Sequence, residues 1–455
     1  MQTQAPTAVI AAVQLPGVDL TEHEGNLAEL TRLLKTLGYV VVGVVSQKLS
    51  HLKPGTVFGQ GKLYELASYT GGTGVVPSGA KGAKEAEEPE APEEEDDDDE
   101  EEAADEAAGL TSAPRADVVV VDHEISPRQA RNLELATGVD VLDRSGVIVE
   151  IFHRHAQTRE ARLQVEIARL TYVVPRLRAG ARGADRQRGG VGGKGAGESS
   201  LELDRRKVRD RITLLRAELA TIEREEGTRR TRREGQRRVG LVGYTNAGKS
   251  SLMRALTGTA VLVEDKLFAT LGTTVRALHP EVRPRILISD TVGFIRKLPH
   301  DLVASFRSTL DEALEASLLL HVVDASDPGF RSQLEVTREV LASIGADAVP
   351  SRLVLNKIDC VDDFRRRSLE REYPEAIQLS AHDPADVARL REAIIEFFEG
   401  ELPEVELFVP YARGGVIGEI RAHMRVLAER FDGEGTHFTV KASQASLDRV
   451  GQLLK

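Results

Sequence analysis

The sequence predicts an α/β protein of several domains built on mostly parallel sheets, and three observations predict it. At 455 residues the chain is too long for a single compact core. Short apolar runs recur along it, each stopping at a turn and giving way to a segment of helical period. One unbroken acidic block, Glu93 to Glu102, interrupts that pattern with residues no core would accept.

Taken in order, Leu27, Leu30, Leu34 and Leu37 mark a helix, Tyr39 to Val45 a strand and Gly61 to Tyr69 a second helix. Gly55 to Lys62 fits no complete nucleotide motif and reads as turn chemistry with an RNA-facing lysine, the other reading being a phosphate cradle at the helix start. From Lys81 to Glu106 the chain carries sixteen acidic residues and two lysines. With a net charge of -12 for the whole chain, everything outside that tract sums to +2. A disordered, solvated insertion over about 81–109 is expected, either as a plain linker or as a nucleic-acid mimic shielding a basic surface. Val118 to Val121 then reads as a buried strand, Ser126 to Leu135 as a helix and Val139 to Phe152 as further strand, which completes an N-terminal α/β domain over 1–155. His153 and His155 lack a third ligand nearby and read as ordinary surface or interface histidines.

Leu163, Ile167, Leu170, Val174 and Leu177 recur at alternating intervals of four and three, and Val208, Ile212, Leu215, Leu219 and Ile222 repeat the interval. Two helices with such narrow seams should pair as an antiparallel hairpin over 156–235. Its tip, 179–197, holds eight glycines with Arg182, Arg186, Arg188 and Lys194, just after Arg178. Between Arg154 and Arg238 there are 23 basic and 12 acidic residues. Backbone amides and guanidinium groups on so slim a tip can approach RNA phosphates, the blander reading being a flexible linker.

The nucleotide chemistry lies in 236–400. Val239 to Val242 runs as a strand into Gly243, Tyr244, Thr245, Asn246, Ala247, Gly248, Lys249 and Ser250, and a helical pattern follows. That is a phosphate-binding loop in its required context: the glycines let amides surround a β-phosphate, Lys249 neutralises β/γ charge and the Ser250 hydroxyl binds Mg²⁺. Arg285 to Asp290 ends in Asp290, Thr291, Val292 and Gly293, where the carboxylate can hold magnesium through water and the Gly293 amide can meet a γ-phosphate. Leu353 to Leu355 leads into Asn356, Lys357, Ile358 and Asp359. Guanine offers two adjacent donors that one carboxylate accepts as a fork and adenine does not, so Asp359 selects GTP. Asn356 and Lys357 buttress that loop. Ile377 to Leu379 leads to Ser380, Ala381 and His382, whose backbone would meet guanine O6. Over 401–455 the alternation of Val405, Leu407 and Val409, a helix from Gly418 to Arg430 and a strand from His437 to Ala442 predict a small α/β appendage.

Other classes fall away. No apolar run is long enough for a membrane helix, Met1 to Leu20 is no signal peptide, and the single Cys360 can form neither an internal disulfide nor a zinc site, which suits a cytoplasmic protein.

The motifs together resemble the translation-factor class of P-loop GTPases and, more narrowly, the HflX family of ribosome-associated GTPases. The resemblance covers nearly the whole chain outside the acidic insertion: Phe268 to Arg276, Asp290 to Phe306, Ser126 to Glu134, Asp143 to Leu177 and Gly189 to Arg206 are all similar to that family's signatures. It implies a P-loop G domain with a mostly parallel sheet, hydrolysis of GTP with Mg²⁺, binding of the 50S subunit and its 23S rRNA in the GTP state, and the splitting or rescue of idle and stalled ribosomes under stress. A monomer is expected for the free protein, with the catalytic roles on Lys249, Thr270 and Gly293. Within the switch segment Phe268, Ala269, Thr270, Leu271 and Gly272, the resemblance makes Thr270 the residue that completes the Mg²⁺ shell with Ser250 and Asp290, while Thr273 and Thr274 compete for that role. Gly272 stands where the family usually has Asp, and Phe294 stands where Ras-like switches carry the glutamine that orients water. Slow intrinsic hydrolysis, stimulated by the ribosome, is therefore expected; the alternative readings are a ribosome-assembly GTPase and, with Phe294 in that place, a nucleotide-gated RNA-binding scaffold whose hydrolysis is incidental.

Overall fold

A computed structural model describes residues 5–77, 115–156, 158–177, 200–231, 237–258, 268, 274–282, 284–296, 313–400, 402–442 and 444–454. The expected acidic insertion at 81–109 and the hairpin tip at 179–197 lie outside them. The described residues fall into two compact units, one ending at Thr221 and the other beginning at Ile222.

In the first unit, strands β1 (Thr7–Gln14), β2 (Val40–Lys48), β3 (Val118–Val121) and β4 (Asp140–Asp143) form a parallel sheet in the order β2-β1-β3-β4. Helices α1 (Leu20–Thr36), α2 (Gln60–Thr70), α3 (Pro127–Thr137) and α4 (Arg144–His155) connect or follow them. The unbroken apolar run of β1 is buried throughout its middle, as a central strand covered on both faces requires. Ser126 and Gln129 close a reciprocal capping box that fixes the start of α3.

Val139 to Phe152, expected as strand throughout, divides at Asp143 and becomes a helix. The Asp143 carboxylate accepts the Gly146 N–H at 2.8 Å and so starts α4. Val147, Ile148, Val149, Ile151 and Phe152 are all buried. Burial around most of the helix erased the polar stripe that would have marked helical period, and the β-branched run then read as strand.

Helix α5 (Arg159–Val173) pairs antiparallel with α6 (Ser200–Thr231). Arg159 meets Glu218 at 2.6 Å and Arg211 meets Glu166 at 2.9 Å, while Ile212 and Leu215 are buried.

In the second unit a six-stranded sheet runs β10-β9-β8-β5-β7-β6, parallel except for the antiparallel edge pair β6/β7. Its strands are β5 (Arg237–Gly243), β6 (Thr274–Ala277), β7 (Ile286–Asp290), β8 (Leu318–Asp324), β9 (Ser351–Asn356) and β10 (Ile377–Gln378). Helices α7 (Lys249–Thr257), α8 (Phe330–Ser343), α9 (Asp363–Glu372) and α10 (Pro384–Glu399) complete it. Leu252 and Leu256 of α7 pack with Leu390 and Ile394 of α10 over Val239, Leu241, Ile288 and Leu320, so the helix after the glycine loop is anchored to the sheet.

A three-stranded antiparallel sheet, β11-β13-β12, closes the chain: β11 (Glu404–Pro410), β12 (Arg425–Phe431) and β13 (Gly435–Lys441), with helices α11 (Val416–His423) and α12 (Gln444–Leu454). The helix expected over Gly418 to Arg430 stops at His423. Met424 is extended, and Met424 and Val426 join the same apolar cluster by strand alternation. Among the described residues no helix is long and apolar enough to cross a membrane.

Candidate nucleotide site

Strand β5 ends on Gly243 at a φ of 148°, where a Cβ would lie 2.1 Å from the Val322 carbonyl oxygen of β8. Gly248, at a φ of 93°, would place a Cβ 2.2 Å from Asn356 Nδ2. Both positions require glycine, one for its close approach to a neighbouring strand and one for left-handed backbone as well. Between them Tyr244, Thr245, Asn246 and Ala247 curl across the C-terminal end of the sheet, and α7 begins at Lys249 with its first amides facing the loop.

Lys249 is buried, and its Nζ donates to the carbonyl oxygens of Gly243 at 3.0 Å and Tyr244 at 2.8 Å. Burial pushes its pKa down to about 8, against the opposing pull of Asp290. Asp290, at the end of β7, is fully buried; desolvation raises its pKa, and Lys249 and the Ser250 hydroxyl offset part of that rise. Ser250 Oγ donates to Asp290 Oδ2 at 2.7 Å. Asp290 Oδ1 and Thr245 Oγ1 are buried and find no hydrogen-bond partner among the described residues. Polar atoms left in that state are costly unless a ligand completes them.

The donor set fits magnesium. A carboxylate and a hydroxyl already in contact, with one carboxylate oxygen unfilled, suit a hard cation whose remaining positions go to phosphate and water. Ser250 and Asp290 would hold it, and the ion would neutralise charge on the phosphates.

The segment after Asp290 is laid along the phosphate loop. Thr245 N donates to Phe294 O at 2.8 Å and Phe294 N donates to Gly243 O at 3.1 Å, a parallel bridge between Tyr244 and Phe294. Arg296 N donates to the Tyr244 hydroxyl at 2.8 Å. A Cβ on Gly293 would lie 2.9 Å from both Lys249 Nζ and Thr245 Cα. Phe294 itself is 3 % exposed, so an apolar ring, buried, occupies the position following Gly293. Thr291 Oγ1 is tied to Leu241 O at 2.7 Å, and Val292 is buried beside it.

At the far end of the loop, Asn356 Nδ2 donates to Ala247 O at 2.8 Å and its Oδ1 accepts Ala381 N at 3.1 Å. One amide thus joins the phosphate loop to the segment Ser380 to His382. Lys357, in left-handed backbone, reaches Asp324 at 2.7 Å. Ile358 is buried, while Asp359 is exposed. The Ser380 hydroxyl, first, and the nearby His382 hold the Asp359 carboxyl below the usual carboxylate range, so it is an ionised acceptor open to solvent. Ser380 N donates to Asp386 Oδ2 at 2.7 Å, and His382 N donates to Ser380 Oγ at 3.3 Å.

The structure therefore gathers Gly243 to Ser250, Asp290 to Gly293, Asn356 to Asp359 and Ser380 to His382 around the C-terminal ends of β5, β7, β9 and β10. In the switch segment, Phe268 is buried in left-handed backbone. Ala269, Thr270, Leu271, Gly272 and the competitor Thr273 lie outside the described residues. Thr274 begins β6 directly opposite Asp290. Sequence reasoning passed over Asp324 and Asp386. The first closes the apolar run Leu318 to Val323, which is itself a strand signal; the second sits three residues after the cap Asp383, where an acidic side chain can turn back onto a preceding amide.

Comparison with known proteins agrees with this geometry. Residues 238–357 match the family model described as 50S ribosome-binding GTPase. Residues 155–233 match the GTP-binding GTPase middle region, and 24–76 with 101–153 match the GTP-binding GTPase N-terminal model. A relative from Gluconacetobacter diazotrophicus named GTPase HflX is 59% identical over 99% of this chain and 98% of its own length. Proteins of the same name from Caldanaerobacter subterraneus and Escherichia coli are 35% and 42% identical, covering 96% and 68% of this chain and 90% and 74% of their own. A glycine loop, an acidic switch and an Asn-Lys-Ile-Asp segment around one sheet, with relatives of such identity along the whole chain, place it in the HflX family of P-loop GTPases, enzymes that hydrolyse GTP.

Proposed function

We propose that this chain is a GTP-gated factor of the 50S ribosomal subunit, which contacts 23S rRNA in its triphosphate state and splits or rescues idle and stalled 70S ribosomes in the cytoplasm under stress. The observation that carries the reading is the bridge between Phe294 and the phosphate loop. With Gly293 beside Lys249 Nζ, the switch backbone lies against the lysine that serves the β- and γ-phosphates. A third phosphate has to lift that backbone and a diphosphate does not, so the nucleotide state becomes a difference in shape that a partner can read. The matched description, 50S ribosome-binding GTPase, supports that choice of partner.

In this reading the base lies against Asp359 and the backbone of Ser380 to His382. Lys249 and the amides of Gly243 to Ser250 hold the β-phosphate. Ser250, Asp290 and Thr270 complete Mg²⁺ when it is bound, and Gly293 contacts the γ-phosphate. Phe294 offers no polar atom to orient water, so hydrolysis is slow alone and quickened by the ribosome. Sedimentation of purified 70S ribosomes tests the reading. The GTP-analogue form should co-migrate with 50S and raise the free-subunit fraction, while the GDP form should do neither. Binding confined to immature subunits would instead make it an assembly factor, and equal binding in both nucleotide states would sink the gating.

A further inference from the structure

We infer that Asp386 is a positioning residue for guanine recognition, holding the Ser380 to His382 segment and, through Ser380, the Asp359 carboxylate in the arrangement that receives the base. The inference rests on the guanine-site reading above and adds to it a residue that touches no part of the nucleotide.

The Ser380 amide sits where β10 has just ended and no strand partner is left for it. Asp386 Oδ2 accepts it at 2.7 Å from the first turn of α10. Asp386 is 8 % exposed, and its other oxygen takes Arg389 at 2.5 Å, so both carboxylate oxygens are occupied and the side chain is fixed. The next amide, of Ala381, is fixed by Asn356 Oδ1 at 3.1 Å. Successive N–H groups of one short segment are thus held by two side chains from different elements. With the Ser380 backbone set, its hydroxyl is placed between the His382 amide and Asp359. Without Asp386 the Ser380 amide would be a buried donor lacking an acceptor, and the segment would shift to find water. A carboxylate that is freely rotating loses the forked geometry on which guanine selection depends.

Nucleotide affinities of the full-length protein test this, with GDP as the probe and GTP turnover as the second readout. Asp386→Ala should weaken GDP by about ten- to thirtyfold, the loss expected for one charge-assisted hydrogen bond. It should raise KM for GTP while moving kcat at saturation less than about twofold, because the phosphate end is untouched. Asp386→Asn, whose amide oxygen still accepts the Ser380 N–H, should recover most of the affinity. Should the alanine variant not fold, Asp386→Glu carries the same prediction at roughly three- to tenfold, since it keeps the charge and displaces the acceptor. Parental GDP affinity in a folded Asp386→Ala or Asp386→Glu protein overturns the inference, and so does an Asn variant as weak as the Ala one. Asp359→Asn separates the two levels: if it abolishes guanine preference while Asp386→Ala changes nothing, only the positioning role fails, and if guanine preference survives it, the site reading fails and this inference with it.

Discussion

Two sheets in this chain, one parallel throughout and one parallel but for its β6 edge, place carboxylates at the C-terminal ends of their strands, and the two sets of carboxylates are satisfied differently. In the N-terminal sheet Asp122 follows β3 and Asp143 ends β4. Buried Arg144 bridges Asp122, at 2.8 Å, and Glu29. Asp143 takes the Tyr172 hydroxyl at 2.9 Å and Arg176 at 2.7 Å, besides the Gly146 amide. Burial and the neighbouring Asp143 push the Tyr172 phenol up, so it stays a protonated donor. In the G-domain sheet Asp290 keeps one oxygen without a partner among the described residues, and Thr245 keeps its hydroxyl in the same state. The two ends share a residue type. They differ in whether the surrounding cations and hydroxyls already satisfy the acceptors, and under the proposed reading that difference separates a seal from a binding site.

That contrast can be broken by experiment. Lys249→Ala should weaken GDP and GTP by on the order of a thousandfold, because the charge that meets the phosphates is gone. Fluorescent-nucleotide titration showing a smaller loss than at Asp359→Asn would move the centre of the site away from the loop. Arg144→Leu should destabilise the N-terminal domain by about 3–5 kcal/mol by leaving Glu29 and Asp122 buried without their cation. Nucleotide affinity should not move; a variant as stable as the parent in denaturant would mean that the N-terminal cluster seals nothing.

A smaller effect lies within the six-stranded sheet, on β8. Burial, first, and Arg338 push the His321 pKa down to about 4. The unfolded chain therefore binds the extra proton across the interval between the ordinary histidine value and that one. Stability contributed by neutral His321 is full above about pH 6.5 and is lost as pH falls toward 4, to a total of about 3 kcal/mol. His321→Leu should flatten that part of a stability-against-pH curve, and an unchanged acid limb would assign the slope to other groups. Least of all, Tyr244→Phe removes the acceptor for Arg296 N. It should loosen the bridge by roughly 0.5–1.5 kcal/mol and speed GTP association about two- to tenfold in stopped flow, with GDP barely affected. Equal acceleration of both nucleotides would mean that the bridge does not discriminate the third phosphate.

The candidate site was the most legible part of the sequence because the residues that the structure gathers there are consecutive. Gly243 to Ser250, Asp290 to Gly293 and Asn356 to Asp359 each follow a strand that apolar alternation or a short run reveals, and the chemistry expected of them admits few residue types. Asp324 and Asp386 were not legible, since each works on a partner dozens of residues away or around a helix turn, as in Lys357 and Ser380. The fold was misread where burial is nearly complete. A helix from Arg144 to His155 with apolar residues on most sides carries no period, and its one clear mark is the Asp143 cap. Arg425 to Arg430 was absorbed into a helix, which Leu427 and Ala428 favour, whereas pairing with β13 decides the outcome.

Asn356 carries a consequence for how nucleotide arrives. Its one planar amide grips Ala247 with one end and Ala381 with the other, so in the proposed reading a rotation that suits the base also tugs on the cradle for the phosphates. Guanosine and pyrophosphate, offered as separate fragments, should therefore assist each other's entry, as two halves of one ligand would if that amide joins their seats.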